Sequence, residues 1–146
     1  MPKLNVDIVT AERVVFSEDD VDLLVVPGIE GELGVLPLHA PLLTTIKPGV
    51  LRVVKGEEET TMAITGGFIE VRENRVTILA DAAERGEEID AARAEAARRL
   101  AEERLASREA TIDMVQAEMA LKRALVRLKA LEQTRRRRRG APPPPS

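Results

Sequence analysis

Hydrophobic and polar residues alternate near the start of the chain, where Leu4, Val6 and Ile8 are separated by Asn5 and Asp7. This period of two is typical of a strand with one buried face. Further short apolar runs follow, at Val14–Phe16, Leu23–Val26, Val50–Val54, Met62–Ile64, Phe68–Val71 and Val76–Leu79. Turn-forming residues separate these runs, at Ser17–Asp20, Gly56–Glu57, Gly66–Gly67 and Glu73–Asn74. The pattern predicts an all-β N-terminal domain, a β-sandwich or flattened barrel, over residues 1–84.

The pattern becomes helical from Ile89, where Ala, Arg, Glu and Leu predominate. Asp90 is a candidate N-cap, and Glu87 and Glu88 place negative charge near the positive end of the helix dipole. The apolar face of this first helix is predicted to consist mostly of alanine, with the members Ala92, Ala96, Ala97, Leu100 and Leu105.

A break is predicted between Ser107 and Ile112, after which Asp113 and Gln116 resemble a capping box. The second helix carries an apolar stripe with spacings of three and four, which consists of Met114, Ala117, Leu121, Ala124, Leu128 and Leu131. We interpret this stripe as a packing seam and not as a cofactor site. Because the break is short, an antiparallel α-helical hairpin is expected over residues 85–134.

The last segment, residues 135–146, reads RRRRRGAPPPPS and is predicted to be disordered. Like charges repel one another, and consecutive prolines favour an extended backbone. Its five arginines suit an acidic partner or a membrane surface, but a solvated tail is the simpler interpretation.

Composition excludes several classes of function. The 146 residues include no Cys, which excludes disulfides, thiolate metal sites and thiol catalysis. Phe16 and Phe68 are the only aromatic side chains, so a nucleic-acid interface of basic residues interleaved with aromatics is not expected. No apolar run approaches the length of a membrane span and the N-terminus lacks a signal-peptide pattern, so we expect no direct membrane insertion.

No catalytic or metal site emerges from the motifs. His39 is the only histidine, no serine lies in a nucleophile elbow, and no phosphate-binding P-loop occurs. Asp19, Asp20 and Asp22 lack the glycine and distal glutamate of a calcium loop. His39 is therefore interpreted as a hydrogen-bonded turn residue.

The segment Pro27–Gly49, PGIEGELGVLPLHAPLLTTIKPG, combines four glycines and four prolines with apolar residues. Spacing alone predicts a turn-rich β edge. As an ordered string it closely resembles the signature of the epsilon subunit of bacterial and chloroplast F-type ATP synthases. The resemblance extends from residue 1 to about residue 132 and leaves the Arg/Pro tail unmatched.

The resemblance implies a β-sandwich followed by a helical hairpin, in a non-catalytic rotor subunit of a complex for ATP synthesis and proton transport. The implied partners are the gamma subunit, the c-ring, and the catalytic alpha and beta subunits, whose ATP hydrolysis the extended hairpin inhibits. Glu32 matches a position that faces the c-ring or gamma, and His39 lies close by in the motif. The implied location is peripheral, on the cytoplasmic face of a bacterial plasma membrane or the stromal face of a thylakoid.

A shorter motif, I-D-x-x-R-A, is formed by Ile89, Asp90, Arg93 and Ala94. By spacing alone it is a helix cap with a local ion pair. In family members that bind ATP as a regulatory ligand, this motif resembles the one that contacts adenine and ribose. Glu84, Arg123 and Arg127 stand at the other matching positions. Leu100 replaces a further arginine of those members, and Arg99 is displaced from that position by about 100° around the helix.

Two other functional classes are compatible with the residues. A free-standing β-sandwich interaction module would need exposed aromatic side chains, which are scarce here. A stand-alone ATP-binding sensor would lack a rotary partner. Co-purification of a gamma-like subunit separates the second class from a rotor subunit.

Overall fold

A computed structural model describes residues 2–107 and 111–138 of the chain. The first part forms ten strands, namely β1 (Leu4–Val9), β2 (Val14–Val21), β3 (Leu23–Gly28), β4 (Gly31–Val35), β5 (Leu42–Ile46), β6 (Gly49–Lys55), β7 (Glu58–Ile64), β8 (Gly67–Arg72), β9 (Arg75–Ala80) and β10 (Ala83–Arg85). A 3₁₀ turn at Gly86–Glu88 leads into two helices, α1 (Ala91–Ser107) and α2 (Thr111–Arg138).

The strands follow the order β10-β7-β6-β3-β5-β8-β9-β1-β2, and β4 pairs with β3 beside this path. Strand β1 is parallel to β9, and the other strand pairs are antiparallel. The inward side chains form one aliphatic core that includes Leu4, Ile8, Leu51, Met62 and Ile78. The predicted all-β domain, a β-sandwich or flattened barrel, is therefore confirmed.

One local prediction in this domain was wrong. Ser17–Asp20 is not a turn but part of β2, an edge strand paired with β1 alone. A register shift between Leu4 and Val6 accommodates an extra residue of β2, and Asp20 takes a φ of 59° there. Aspartate tolerates this left-handed conformation, and the exposed edge leaves the polar side chains in water. Phe68 points outward from β8, whereas Phe16 is buried in the core.

Helix α1 has the predicted cap. The Oδ1 atom of Asp90 accepts hydrogen bonds from the backbone N–H groups of Ala92, at 2.9 Å, and Arg93, at 3.2 Å. These bonds satisfy two of the free N–H groups at the helix start. The Asp90 carboxylate binds these backbone N–H groups, and the predicted local ion pair with the Arg93 side chain is not formed.

Helix α2 differs from the prediction at both ends. It begins at Thr111, so Asp113 lies inside the helix and is not its cap. It continues to Arg138, so residues 135–138 are helical, although the tail was predicted to begin at 135. Packing of the preceding turns against the sandwich sustains the helix, and arginines suit the negative end of its dipole. Residues 139–146, and the disorder predicted for them, lie outside the described residues.

The two helices pack along the predicted seam of α2, where Ala117, Ala124 and Leu131 are buried. The face predicted for α1 was wrong: Ala94 and Ala101 are buried, whereas Ala92, Ala96 and Leu100 are exposed, and Ala97 and Leu105 are half-buried. Alanines occur on several sides of this helix, so periodicity does not single out one face.

The hairpin rests on the sandwich through α2, which packs against β6 and β7. The contact is a second apolar cluster of Ala63, Ile89, Ala94, Ala130 and Leu131, separate from the sandwich core. Three of its five members are alanine, and four of them, all but Ala63, lie in the hairpin domain. The docked hairpin is thus an added layer and not part of the sandwich interior.

Candidate functional site

A groove of about 540 Å³ lies between the hairpin and the edge of the sandwich. The 3₁₀ turn and the sandwich contribute Arg13, Glu84 and Glu88, whereas α1 contributes Ala97 and α2 contributes Arg123 and Arg127. The volume lies within the range of ordinary ligand pockets, about 300 to 1,000 Å³. Its charged residues come from both domains, so a ligand here would contact both.

The strongest polar contact across the groove joins Arg127 of α2 to Glu84 of β10. The Nε atom of Arg127 donates to Oε2 of Glu84 at 2.8 Å, and its Nη2 atom donates to Oε1 at 3.1 Å. Both side chains are about two-thirds buried, with exposures of 28% and 32%. This bidentate geometry is the one in which arginine binds carboxylates and phosphates most strongly.

The structure brings together three of the seven residues predicted to bind ATP, namely Glu84, Arg123 and Arg127. The other four belong to the adjoining helix start. Ile89 and Ala94 are buried in the cluster between hairpin and sandwich, and Asp90 caps α1. Arg93 is exposed and does not line the groove.

Arg13 and Glu88 also line the groove, and neither was predicted from the sequence. Arg13 belongs to the turn between β1 and β2, far from the helices along the chain. No motif links that turn to the hairpin, and only the folded sheet brings it beside β10. The sequence predicted for Glu88 only a favourable interaction with the helix dipole. Its position in the 3₁₀ turn places it at the groove.

The two residues predicted to face the c-ring or gamma lie elsewhere, in and after β4. Glu32 is exposed and pairs with Pro27 across the β3–β4 hairpin. His39 is half-buried, and its Nδ1 atom lies 2.7 Å from the backbone oxygen of Ala40, to which it donates. The interpretation of His39 as a hydrogen-bonded turn residue is confirmed.

The outer face of the sheet carries an exposed apolar patch, which we call the outer patch: Val14, Leu43, Phe68 and Leu79. Their exposures are 58%, 70%, 55% and 54%. Phe68 pairs directly with Leu79 and with Thr45, so these side chains share one face across β9, β8 and β5. Val14 joins the same face through Val9, which pairs with both Val14 and Leu79.

The described residues form neither a cluster of metal ligands nor a membrane-spanning helix. Across residues 2–107 and 111–138, no three His, Cys, Asp or Glu side chains lie close enough together to hold a metal ion. Neither described helix has an apolar stretch long enough to cross a bilayer.

Family models and known proteins resemble the chain along most of its length. The model for the ATP synthase delta/epsilon chain β-sandwich domain matches residues 3–86, and the model for the long α-helix domain of that chain matches residues 87–132. The ATP synthase epsilon chain of Desulforamulus reducens is 52% identical over 126 residues, which is 86% of this chain and 95% of the relative. The corresponding chain of Herpetosiphon aurantiacus is 52% identical over 132 residues, or 90% of this chain and 96% of the relative.

Solved structures agree with the fold. A chain in the cryo-EM structure of Euglena gracilis mitochondrial ATP synthase, OSCP/F1/c-ring, has a TM-score of 0.77 and 26% identity and covers 92% of this chain and 82% of its own. A chain from the central stalk/c-ring structure of Tetrahymena thermophila mitochondrial ATP synthase has a TM-score of 0.58 and 14% identity, over 90% of this chain and 99% of its own, and supports the fold alone. Two matching domain models and identities near half over most of the chain show that this protein belongs to the epsilon chains of ATP synthase.

Proposed function

We propose that the chain is a central-stalk subunit that links the gamma subunit to the c-ring, and that its helical hairpin regulates ATP hydrolysis. The outer patch carries the first half of this proposal. Contiguous exposed apolar side chains on a well-packed sandwich mark a protein interface. No catalytic step is assigned to the chain, which acts as a peripheral subunit on the cytoplasmic face of the membrane.

The outer patch suits a permanent partner such as gamma. Phe68 and Leu79 are large, lie side by side and are fixed by strand pairing, so their burial requires little ordering. Burial of a side chain of this size contributes about 1.5 to 3 kcal/mol. On the same face of β8, Glu70 lies directly opposite Leu43 and Arg72 lies at the end of the strand, and both are exposed. Charged side chains therefore flank the apolar pair of Phe68 and Leu79 on this side.

Co-purification with gamma tests this surface. Phe68→Asp should weaken binding of gamma by at least about tenfold, because a carboxylate would be buried without a partner. Arg72→Asp introduces the same group on the same face of β8, outside the patch, and serves as the control. Equal retention of gamma by both variants would contradict the assignment.

The c-ring contact is assigned to the β3–β4 hairpin and the loop after β4, the region of Glu32 and His39. Leu36 and Leu38 are exposed in this loop. The loop is held in place, because the Leu38 N–H group donates to Oδ1 of Asn74 at 2.6 Å. Since the chain has no native Cys, Glu32→Cys offers a single site for cross-linking to the c-ring in the assembled complex. An absence of c-subunit products would contradict this contact.

The hairpin suits a regulatory role because its hold on the sandwich is small. Alanine dominates the contact cluster and buries little area per residue. A docked state that is favoured by only a few kcal/mol is open to reversal by a partner or ligand. We assign inhibition to the released hairpin, which would contact the alpha and beta subunits. Deletion of residues 85–146 should then raise ATP hydrolysis by the reconstituted complex and leave its assembly intact.

ATP is the ligand assigned to the groove, where it would stabilise the docked hairpin. Arg123 and Arg127 supply the charge for phosphates, and a ligand at about a hundred times its dissociation constant stabilises the bound form by about 2.7 kcal/mol. Calorimetric titration with Mg-free ATP tests this assignment. An absence of heat at millimolar ATP would remove the nucleotide from the proposal and leave the rotor assignment intact.

A further inference from the structure

The groove contains two arginines for which the described residues supply no charged partner. Of its three arginines, Arg127 is held by Glu84, whereas Arg13 and Arg123 form no side-chain hydrogen bond or ion pair within residues 2–107 and 111–138. Arg13 belongs to the sandwich and Arg123 to the hairpin. Two cations from different domains, neither paired within the described part of the chain, thus line the same cavity.

The turn that carries Arg13 is tightly closed. The Thr10 N–H group donates to the Arg13 carbonyl oxygen at 2.9 Å, and the Thr10 hydroxyl donates to the same oxygen at 3.3 Å. The Arg13 N–H group in turn donates to Oγ1 of Thr10 at 3.4 Å. The backbone of Arg13 is therefore positioned before any ligand arrives, which lowers the entropy cost of binding.

We propose that Arg13 is a phosphate-binding residue, and that the polyphosphate of a nucleotide bridges Arg13 of the sandwich and Arg123 of α2. This inference rests on the nucleotide part of the proposed function and adds a residue that the family motif does not include. A guanidinium presents several donors in one plane, which matches phosphate oxygens. Because the bound anion contacts both domains, it ties the hairpin to the sandwich.

The carboxylates of the groove restrict which anion is accepted. Glu84 is neutralised by Arg127, but Glu88 is exposed and disfavours a ligand that carries negative charge alone. A nucleoside triphosphate presents hydroxyl and amino donors to a carboxylate in addition to its phosphates. We therefore expect ATP to bind more tightly than inorganic tripolyphosphate.

Calorimetry on the full chain tests Arg13 directly, with Mg-free ATP and Mg-free tripolyphosphate as the two ligands. Arg13→Gln should raise the dissociation constant for ATP about tenfold, the usual effect of one charge-assisted contact. Arg75→Gln is the matched control, since Arg75 is an exposed sandwich arginine at the start of β9, away from the groove. The dissociation constant of Arg75→Gln for ATP should equal that of the unaltered chain.

A distance measurement provides a second readout, the docking of the hairpin, which a binding measurement does not report. Spin labels on Glu70→Cys of β8 and Glu118→Cys of α2 report whether the hairpin is docked, and no native Cys interferes. ATP should increase the docked fraction of the otherwise unaltered chain. Arg13→Gln should show the same docked fraction without ligand, because the Arg13 side chain forms no hydrogen bond or ion pair with the described residues of the hairpin, and should lose most of the increase with ATP.

The outcomes separate this inference from the proposed function. If ATP binds equally to Arg13→Gln and to the unaltered chain, the role of Arg13 is overturned and the nucleotide site stands. If tripolyphosphate binds in an Arg13-dependent manner and ATP does not bind, the anion bridge stands and the nucleotide assignment fails. If neither ligand binds, both are overturned.

Discussion

Arg127 and Glu84 form a bidentate ion pair that joins helix α2 to strand β10, with N···O distances of 2.8 and 3.1 Å. The pair lies in the groove assigned to nucleotide phosphates, and Arg127 is one of the arginines that those phosphates would contact. Without a ligand, Glu84 thus occupies the anion position on Arg127.

The first prediction is that this pair holds the hairpin down in the absence of ligand. Glu84→Gln or Arg127→Gln should destabilise the docked state by about 1 kcal/mol, which is the upper end of the free energies measured for exposed ion pairs. The ratio of docked to undocked hairpins should fall about fivefold in the spin-label measurement described above. Glu84→Arg combined with Arg127→Glu should recover part of that loss, because the pair is restored with its charges exchanged.

Glu88→Gln is the control for this pair. Glu88 lines the same groove but forms no ion pair with Arg127. A docked fraction that falls equally in Glu88→Gln and Glu84→Gln would mean that general charge, and not the pair, holds the hairpin.

The second prediction concerns the space at Gly86, where α2 crosses the sandwich. A Cβ atom at this position would lie 2.2 Å from Oγ1 of Thr134, 3.0 Å from the Ala130 carbonyl oxygen and 3.3 Å from the Thr61 carbonyl oxygen. Gly86→Ala should therefore push α2 away and lower the docked fraction by more than the loss of the ion pair does. The same spin labels measure this change.

Gly34→Ala is a matched control for Gly86, because a Cβ atom at Gly34 would meet nothing within 4 Å. Removal of the hydroxyl in a Gly86→Ala and Thr134→Ala double variant should relieve part of the clash. A normally docked hairpin in Gly86→Ala alone would show that the contact between α2 and the 3₁₀ turn is looser than the structure has it.

The fold could be read from the sequence where each residue has one dominant preference. Alternation in β1 and the spaced stripe of α2 each leave one possible buried face, and both were confirmed. The face of α1 was predicted wrongly because alanine is compatible with burial and exposure alike. The strand at Ser17–Asp20 was missed because a bulge on an edge strand allows polar residues where a regular strand does not.

The site could be predicted in part, and the limit is again physical. Glu84, Arg123 and Arg127 were found through a family motif, and the structure brings them together. Arg13 could not be found in this way, because its place depends on how the β1–β2 turn approaches the end of β9. That approach results from the parallel pairing of β1 with β9, which no local pattern encodes.

The third prediction separates the hairpin contact from the sandwich core. Leu131 belongs to α2 and is buried where that helix contacts the sandwich, in the cluster with Ala63 and Ala130. Leu131→Ala should destabilise docking by about 2 kcal/mol, the low end for a buried leucine, because the site lies at an edge. Leu125→Ala, at a position that is 47% exposed, should have little effect. Thermal unfolding of the sandwich should be the same in both variants, and a large loss there would mean that the two clusters form one core.

The last prediction concerns Asp22, which joins three parts of the sandwich. Its carboxylate accepts hydrogen bonds from Nζ of Lys3 and, at 2.7 Å, from the Gly56 N–H group in the β6–β7 turn. The bond from Lys3 is the main reason that the pKa of Asp22 lies below its ordinary value, and the bond from Gly56 adds to it. The folded state therefore binds a proton at Asp22 less readily than the unfolded state does.

The sign of the pH dependence follows from that difference. Stabilisation by Asp22 is present above the unfolded pKa of about 3.9 and is lost as the pH falls through the lower folded value. The difference in free energy of unfolding between the unaltered chain and Asp22→Asn should thus be constant from pH 7 to pH 5 and shrink below about pH 4. Urea unfolding at pH 7, 5, 4 and 3 measures it, with Asp19→Asn as the control because Asp19 is exposed and has no side-chain hydrogen bond within the described residues. A difference that grows as the pH falls would contradict the role of the charged Asp22 carboxylate, since a protonated aspartic acid retains its shape but not its charge.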